Sequence, residues 1–408
     1  MSDSVDAAWE PALLRIFRSW SLDVWLWTGT LVAALAAAWA HFAKADQVTQ
    51  FFTALVGVAF TATVMGRALD QVTGRLGRNA VGLFQAVTGN IPELVIGAFA
   101  LFNHLDAVVL GTIAGSALNL LLFANGAAYI AGGLRHRVLV IDTQAVLGTC
   151  VMLVLMVTVL VMPAIAVRMH TGAEHHQQAV SYVVAAALLV VFLIALPETL
   201  RGPGTGGNQP GTPDSPAWLA GFGTAPASPA PPGRDDKATE TSAAEPPAAE
   251  SPAEQPRPLR RTLPLLALSG VLLAVEADWL TEPMGGALSR LHIHQAFAGL
   301  FILAVVNNLS QVVPSVRLAM RGDIDTAIAI NLQGTLQLVL MVAPVLMLLS
   351  LFTGDSQFTL IFPPLMAVAM VAATLLVVFV VLDAIANVLE GAMLIGLYAV
   401  LASLFAWD

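Results

Sequence analysis

The chain has 408 residues, 57% of them hydrophobic and only 11% charged, with a formal net charge of −9. A soluble domain carries about 25% charged residues, so the composition excludes a soluble globular protein and marks one that resides in lipid. The acidic excess comes largely from polar segments outside the apolar runs, so no partner is read from it, and no nucleic-acid partner is expected.

Residues 1–20 carry Asp3, Asp6 and Glu10 and no cationic head before a short apolar core, so they do not read as a signal peptide. Eleven apolar runs follow, at 23–42, 47–68, 80–102, 106–131, 145–168, 179–197, 262–281, 296–319, 324–350, 358–382 and 388–406. Each is close to the roughly twenty residues that cross a bilayer as a helix. The expected fold is an all-α polytopic membrane protein of about eleven transmembrane helices. Residues 1–45 form an N-terminal segment and first helix; 46–200 and 259–408 form two repeats of five helices each. Between them, 201–258 is rich in Pro, Gly, Ala, Ser and Glu and lacks the apolar content to form a core, so it reads as a disordered cytoplasmic tether. Its acids are interleaved with proline, which favours a plain tether over a regulatory segment. The single Cys150 falls within a span and excludes an intrachain disulfide.

Basic residues set the orientation. With the N-terminus inside, 15 of the 18 Lys and Arg face the cytoplasm, leaving only Lys44, Arg168 and Arg290 outside. The tether is then inside and the C-terminus outside. A bacterial plasma membrane is the expected location. Seven of the eight histidines, all but His136, fall on the outer face and read as ordinary loop residues.

The two repeats align at a fixed offset of 218 residues. Gly89-Asn90 meets Asn307-Asn308, Glu93 meets Gln311, Ser116 meets Gly334, and Asn119 meets Gln337. Five spans is an odd number, so the repeats enter the membrane in opposite directions. Inverted repeats with broken helices at matching positions point to a transporter whose site lies near the midplane. Gly89, Pro92 and Pro314 are the expected helix breaks.

Glu93 is the residue on which the chemistry turns. A carboxylate inside a membrane span costs roughly 2.5–3.5 kcal/mol on insertion scales, so it is kept for a function. Desolvation favours its protonated form, and a nearby cation reverses that preference. One carboxylate can thus hold a proton or a metal ion in turn, which is the physical core of antiport. Hard cations take oxygen ligands. Asn90, Asn308 and Gln311 are expected to complete the cation and proton site around Glu93, the metal ligand, with Gln85, Ser116, Asn119, Gln337 and Asn307 lining a secondary polar cavity. No cofactor is expected; the ions are cargo.

Four stretches resemble the calcium/cation antiporter superfamily, in particular its calcium/proton antiporters. Gly89-Asn90-Ile91-Pro92-Glu93-Leu94 is similar to the first G-N-x-x-E-L signature. Asn308-Leu309-Ser310-Gln311 stands at the second, normally G-N-x-x-E-H. Gln337 with Val342-Ala343-Pro344, and Asp383, Asn387 and Leu389-Glu390-Gly391, match the helices that follow. The resemblance runs from about Phe51 to Trp407 outside the tether, and it implies eleven spans and exchange of Ca²⁺ for protons by alternating access.

The departures define the open question. Gln311 replaces the family's second glutamate, Val312 the histidine after it, Asn307 the leading glycine, and Gln333 the glycine of the next helix. An amide can coordinate a cation but cannot carry a proton at neutral pH. A lone carboxylate leaves a divalent ion uncompensated, which favours Na⁺ or K⁺ unless another acid reaches the cavity; Asp70, Glu276 and Asp278 are the candidates, and interfacial solvation is their simpler reading. The alternative function is a degenerate exchanger that binds or regulates without transport. No His-Glu-x-x-His run supports a hydrolase.

Overall fold

The computed structural model describes residues 22–73, 89–201, 259–353 and 358–407. In the first half, α1 (Leu22–Phe42) and α2 (Gln47–Thr73) are followed by α3 (Ile91–Phe102), α4 (Asp106–His136), α5 (Thr143–Arg168) and α6 (Gln177–Arg201). The second half holds α7 (Leu259–Thr281), α8 (Met284–Leu291), α9 (Gln295–Asn307), α10 (Leu309–Met320), α11 (Ile324–Phe352), α12 (Pro364–Leu382) and α13 (Val388–Trp407). The tether, Gln85 and the first residues lie outside the described part, as does the side chain of Asp70.

Eight of the described helices are long and apolar enough to cross a membrane, or nine spans if α8 and α9, bent by 110°, count as one. Their outward faces carry Val183, Phe379 and Met393, all more than 60% exposed. Such a surface is a liability in water and is at home in acyl chains. Local chemistry sets the ends. Asp46 caps α2, its carboxylate accepting the Thr49 N–H at 3.1 Å and the Thr49 hydroxyl at 2.7 Å. These bonds hold Asp46 below its usual carboxylate range. Three of the histidines, His104, His170 and His292, take positive backbone φ angles just past the ends of α3, α5 and α8. They terminate helices there, which agrees with the loop reading.

The 218-residue offset is visible in the backbone. Adding it to the bounds of α3 yields those of α10. Each following helix carries a widened π-turn at the matching place, Asn119–Ala124 in α4 and Leu338–Val342 in α11. π-turns recur at functional sites because they re-aim side chains within a continuous helix.

Glycines let the two halves cross. A Cβ at Gly115 would overlap the Leu300 backbone, and Gly111 faces the Ala296 carbonyl and Gly299 in the same crossing of α4 with α9. This is small-residue packing, in which close backbone approach replaces the hydrophobic drive that lipid removes. Gly115→Ala should therefore lower stability by about 1–3 kcal/mol through overpacking. Thermal unfolding in detergent checks this against Gly270→Ala, where a new Cβ meets nothing within 4 Å. A Gly115 variant as stable as the Gly270 control would refute the crossing.

Three features differ from the sequence expectation. First, the fold is not wholly helical: β1 (Val138–Val140) pairs antiparallel with β2 (Ile385–Asn387), Val138 opposite Asn387. Three-residue strands are too short to show alternation in sequence. Second, α8 occupies part of an expected loop, because its eight residues fall far below a spanning length. Third, Pro314 does not break its helix: α10 runs through it, and the break falls at Asn308, where φ is −89° and ψ 2°. Membrane helices tolerate an internal proline when neighbours satisfy the freed carbonyl. Pro92, likewise, sits in the first turn of α3, where its missing N–H would have no helical partner anyway.

Candidate functional site

Turns at Gly89-Asn90 and at Asn308 open α3 and α10, and Glu93 lies in the first turn of α3. The positive end of the helix dipole favours a carboxylate at that place and offsets part of the cost of burying it. Glu93 is 1% exposed, and neither of its carboxylate oxygens has a hydrogen-bond partner. A buried acid without a partner calls for an explanation, such as a functional proton, a water or a bound ion.

The two breaks are pinned crosswise. Asn90 donates from Nδ2 to Gln337 Oε1 at 3.2 Å, joining the first break to α11. Asn308 donates from Nδ2 to Ser116 Oγ at 2.9 Å, joining the second break to α4. Each repeat therefore holds the other's broken helix, but one turn apart, since the 218-residue offset pairs Gln337 with Asn119 and Ser116 with Gly334. Gln311 completes the pattern: its Oε1 fills the space where a Cβ of Gly334 would stand, one turn from Gln337 on α11. Asn90 and Gln311 thus meet the same face of one helix.

The amides share an electrostatic logic. Asn308 spends its Nδ2 hydrogens on Ser116 Oγ and on the Ala304 carbonyl at 2.7 Å, and its Oδ1 is left unpaired. Asn119 donates to the Tyr398 hydroxyl at 3.4 Å, and its Oδ1 is unpaired too. In these two amides the donors are consumed by protein while the oxygens remain free. That polarity suits a hard cation and not an anion. Asn307 is buried with both side-chain atoms unpaired, and Gln333, a departure from the family pattern, has both unpaired as well.

Of the residues expected at the site, the structure bonds Asn90 to Gln337 and Asn308 to Ser116 as two separate pairs, and sets Gln311 against Gly334. Gln85 lies outside the described residues. Two buried amides were not in the expected set. Asn331 donates to Asn125 Oδ1 and to Ser315 Oγ, each at 2.9 Å, tying α11 to α4 and α10. Their signal was present, since an amide inside an apolar run seeks a partner in lipid. Among the described residues no three His, Cys, Asp or Glu side chains converge.

Comparison with known proteins places the chain. The model of the sodium/calcium exchanger protein family matches residues 47–197 and 262–407. A Ca(2+)/H(+) antiporter of Synechocystis sp. is 29% identical over 373 residues, covering 90% of this chain and 93% of its own length. A Ca(2+)/H(+) antiporter of Aphanothece halophytica is 26% identical over 375 residues, covering 91% and 93%. The solved structure of native YfkE superposes with a TM-score of 0.73 at 20% identity, covering 94% of this chain and all of its own, a likeness of fold. Both halves of the chain and both broken helices fall within the matched segments, and the chain belongs to the sodium/calcium exchanger protein family.

Proposed function

We propose that this integral membrane protein is a cation/proton antiporter in which Glu93 binds a metal cation and a proton alternately, with Asn90, Asn308 and Gln311 completing the cage. The protein is a transporter and not an enzyme, and its relatives named Ca(2+)/H(+) antiporters support exchange of a cation for protons. The observation that carries the reading is the buried carboxylate of Glu93, both oxygens unpartnered, at the start of a helix pinned to the opposite repeat. When the cation leaves, the desolvated carboxylate takes a proton; when a cation returns, its field expels that proton. Coupling then needs only that the site be filled by one species or the other as access switches sides. The N-terminus and tether face the cytoplasm by the distribution of basic residues.

With Gln311 in place of a second acid, the crossing by itself balances one positive charge. Alone it favours Na⁺ or K⁺; Ca²⁺ needs a second negative charge within reach. The test is proton flux across vesicles containing the purified protein and a pH-sensitive dye, with Ca²⁺, Na⁺, K⁺ and Mn²⁺ added in turn. At least one cation gradient should drive protons across the membrane in the direction opposite to that cation. Binding of a cation with no flux for any of the four would refute antiport and leave a non-transporting binder, the alternative that the loss of the second acid motivates.

A further inference from the structure

A second acid is buried away from the crossing. Glu276 lies on α7 and is fully buried, with neither carboxylate oxygen hydrogen-bonded. It does not sit at a solvated interface, as its position near the end of a span would lead one to expect. Gly57 of α2 makes room for it: a Cβ there would stand 2.7 Å from Glu276 Oε1. One turn along α2, the buried Thr61 hydroxyl is the polar group that acts on the carboxyl. A buried carboxyl with a single hydroxyl beside it and no ion pair calls for an explanation beyond core packing. His41 and Glu282, at the same end of the helices, face each other at 3.9 Å and leave Glu276 without an ion pair. Asp278, two residues on, is only half-buried.

α7 packs on α3, the helix of Glu93. The two run in the same direction and are joined at their ends, where Asn103 donates from Nδ2 to Thr281 Oγ1 at 3.0 Å. Counting back from that bond at 1.5 Å per residue, Glu276 lies about 7 Å nearer to this end than Glu93. In the proposed orientation this is the outer end.

We propose that Glu276 is a second proton-binding carboxylate of the transport cycle, seated in the Gly57–Thr61 notch between α2 and α7. Its proton is taken up when Glu93 is without a cation and released when one binds, the two carboxylates sensing each other through the low-dielectric gap. The molecule then keeps two exchangeable protons although its crossing has only one acid, and Ca²⁺ can be carried without net charge movement. This rests on the exchanger reading of the Glu93 site.

The test counts protons. Addition of Ca²⁺ to purified wild-type protein in a weakly buffered dye solution should release two protons per ion bound, and Glu276→Gln should release one. In vesicles, Ca²⁺ uptake by the wild type should ignore a clamped membrane potential, while uptake by Glu276→Gln should follow it. A wild type that releases one proton per Ca²⁺ overturns the proposal, and needs no variant to fold. So does a Glu276→Gln protein that is slower but still releases two, since a merely structural role would slow transport without changing the count. Glu276→Asp, which keeps an acid in the notch, should restore the count of two. Wild-type vesicles that move protons for no cation would instead refute the exchanger reading itself.

Discussion

Glu93→Gln should abolish cation-driven proton flux while leaving the protein folded and monodisperse. The substitution keeps shape and removes charge. Two unit charges about 4 Å apart interact by about 4 kcal/mol at an effective dielectric of 20. That corresponds to roughly a thousandfold in affinity for a monovalent ion, and more for a divalent one. The amide also cannot be protonated near neutral pH, so the return half of the cycle has no carrier. Stability should not fall, because the variant replaces an unpartnered buried carboxyl with an uncharged group of the same volume. The measurement is dye-reported flux in vesicles alongside thermal unfolding in detergent. Flux at the normal rate in a folded Glu93→Gln protein would refute the role assigned to this residue.

Gln311→Glu should shift selectivity from monovalent toward divalent cations. The new carboxylate would stand against Gly334, at the pseudo-symmetric counterpart of Glu93. Each added unit of ion charge gains from it separately, so a divalent ion gains about twice what a monovalent ion does. Dehydrating the divalent ion returns part of that difference. A net change of at least about tenfold in the Ca²⁺ to Na⁺ ratio of apparent affinities is the expected result, corresponding to about 1.4 kcal/mol. Competition of the two ions for proton efflux measures it. An unchanged ratio would show that the lost acid at position 311 does not set the ion. The variant also bears on the inference about Glu276: three protons released per Ca²⁺ are expected if Glu276 supplies one, and two if it does not.

Hydrophobic runs and the polar residues embedded in them were sufficient to place the broken helices and to single out Glu93 as a buried acid. Transfer of a twenty-residue segment into lipid is a local free energy, summed over its own side chains, and it needs no knowledge of the rest of the chain. The 218-residue repeat was legible for the same reason, since a buried polar residue stands out in an apolar run, and the matching bounds of α3 and α10 follow it. Pro314 marks where local reasoning fails. Its ring forbids one hydrogen bond, but whether a helix bends or continues depends on what its neighbours supply, and α10 continues.

What only the tertiary structure decided is who meets whom. Asn90 finds Gln337 across 247 residues, and Asn308 finds Ser116 across 192. Nothing in either neighbourhood names its partner. The contact exists because Gly111, Gly115 and Gly299 let two backbones approach closely enough to bring the repeats together. Glu276 shows the same division. Its place near a helix end is a property of the sequence and suits a solvated interface, whereas its complete burial arises from a missing side chain at Gly57 on another helix. Segment hydrophobicity is additive along the chain, but burial and polar pairing are properties of surfaces in contact, and those surfaces form only when the halves pack.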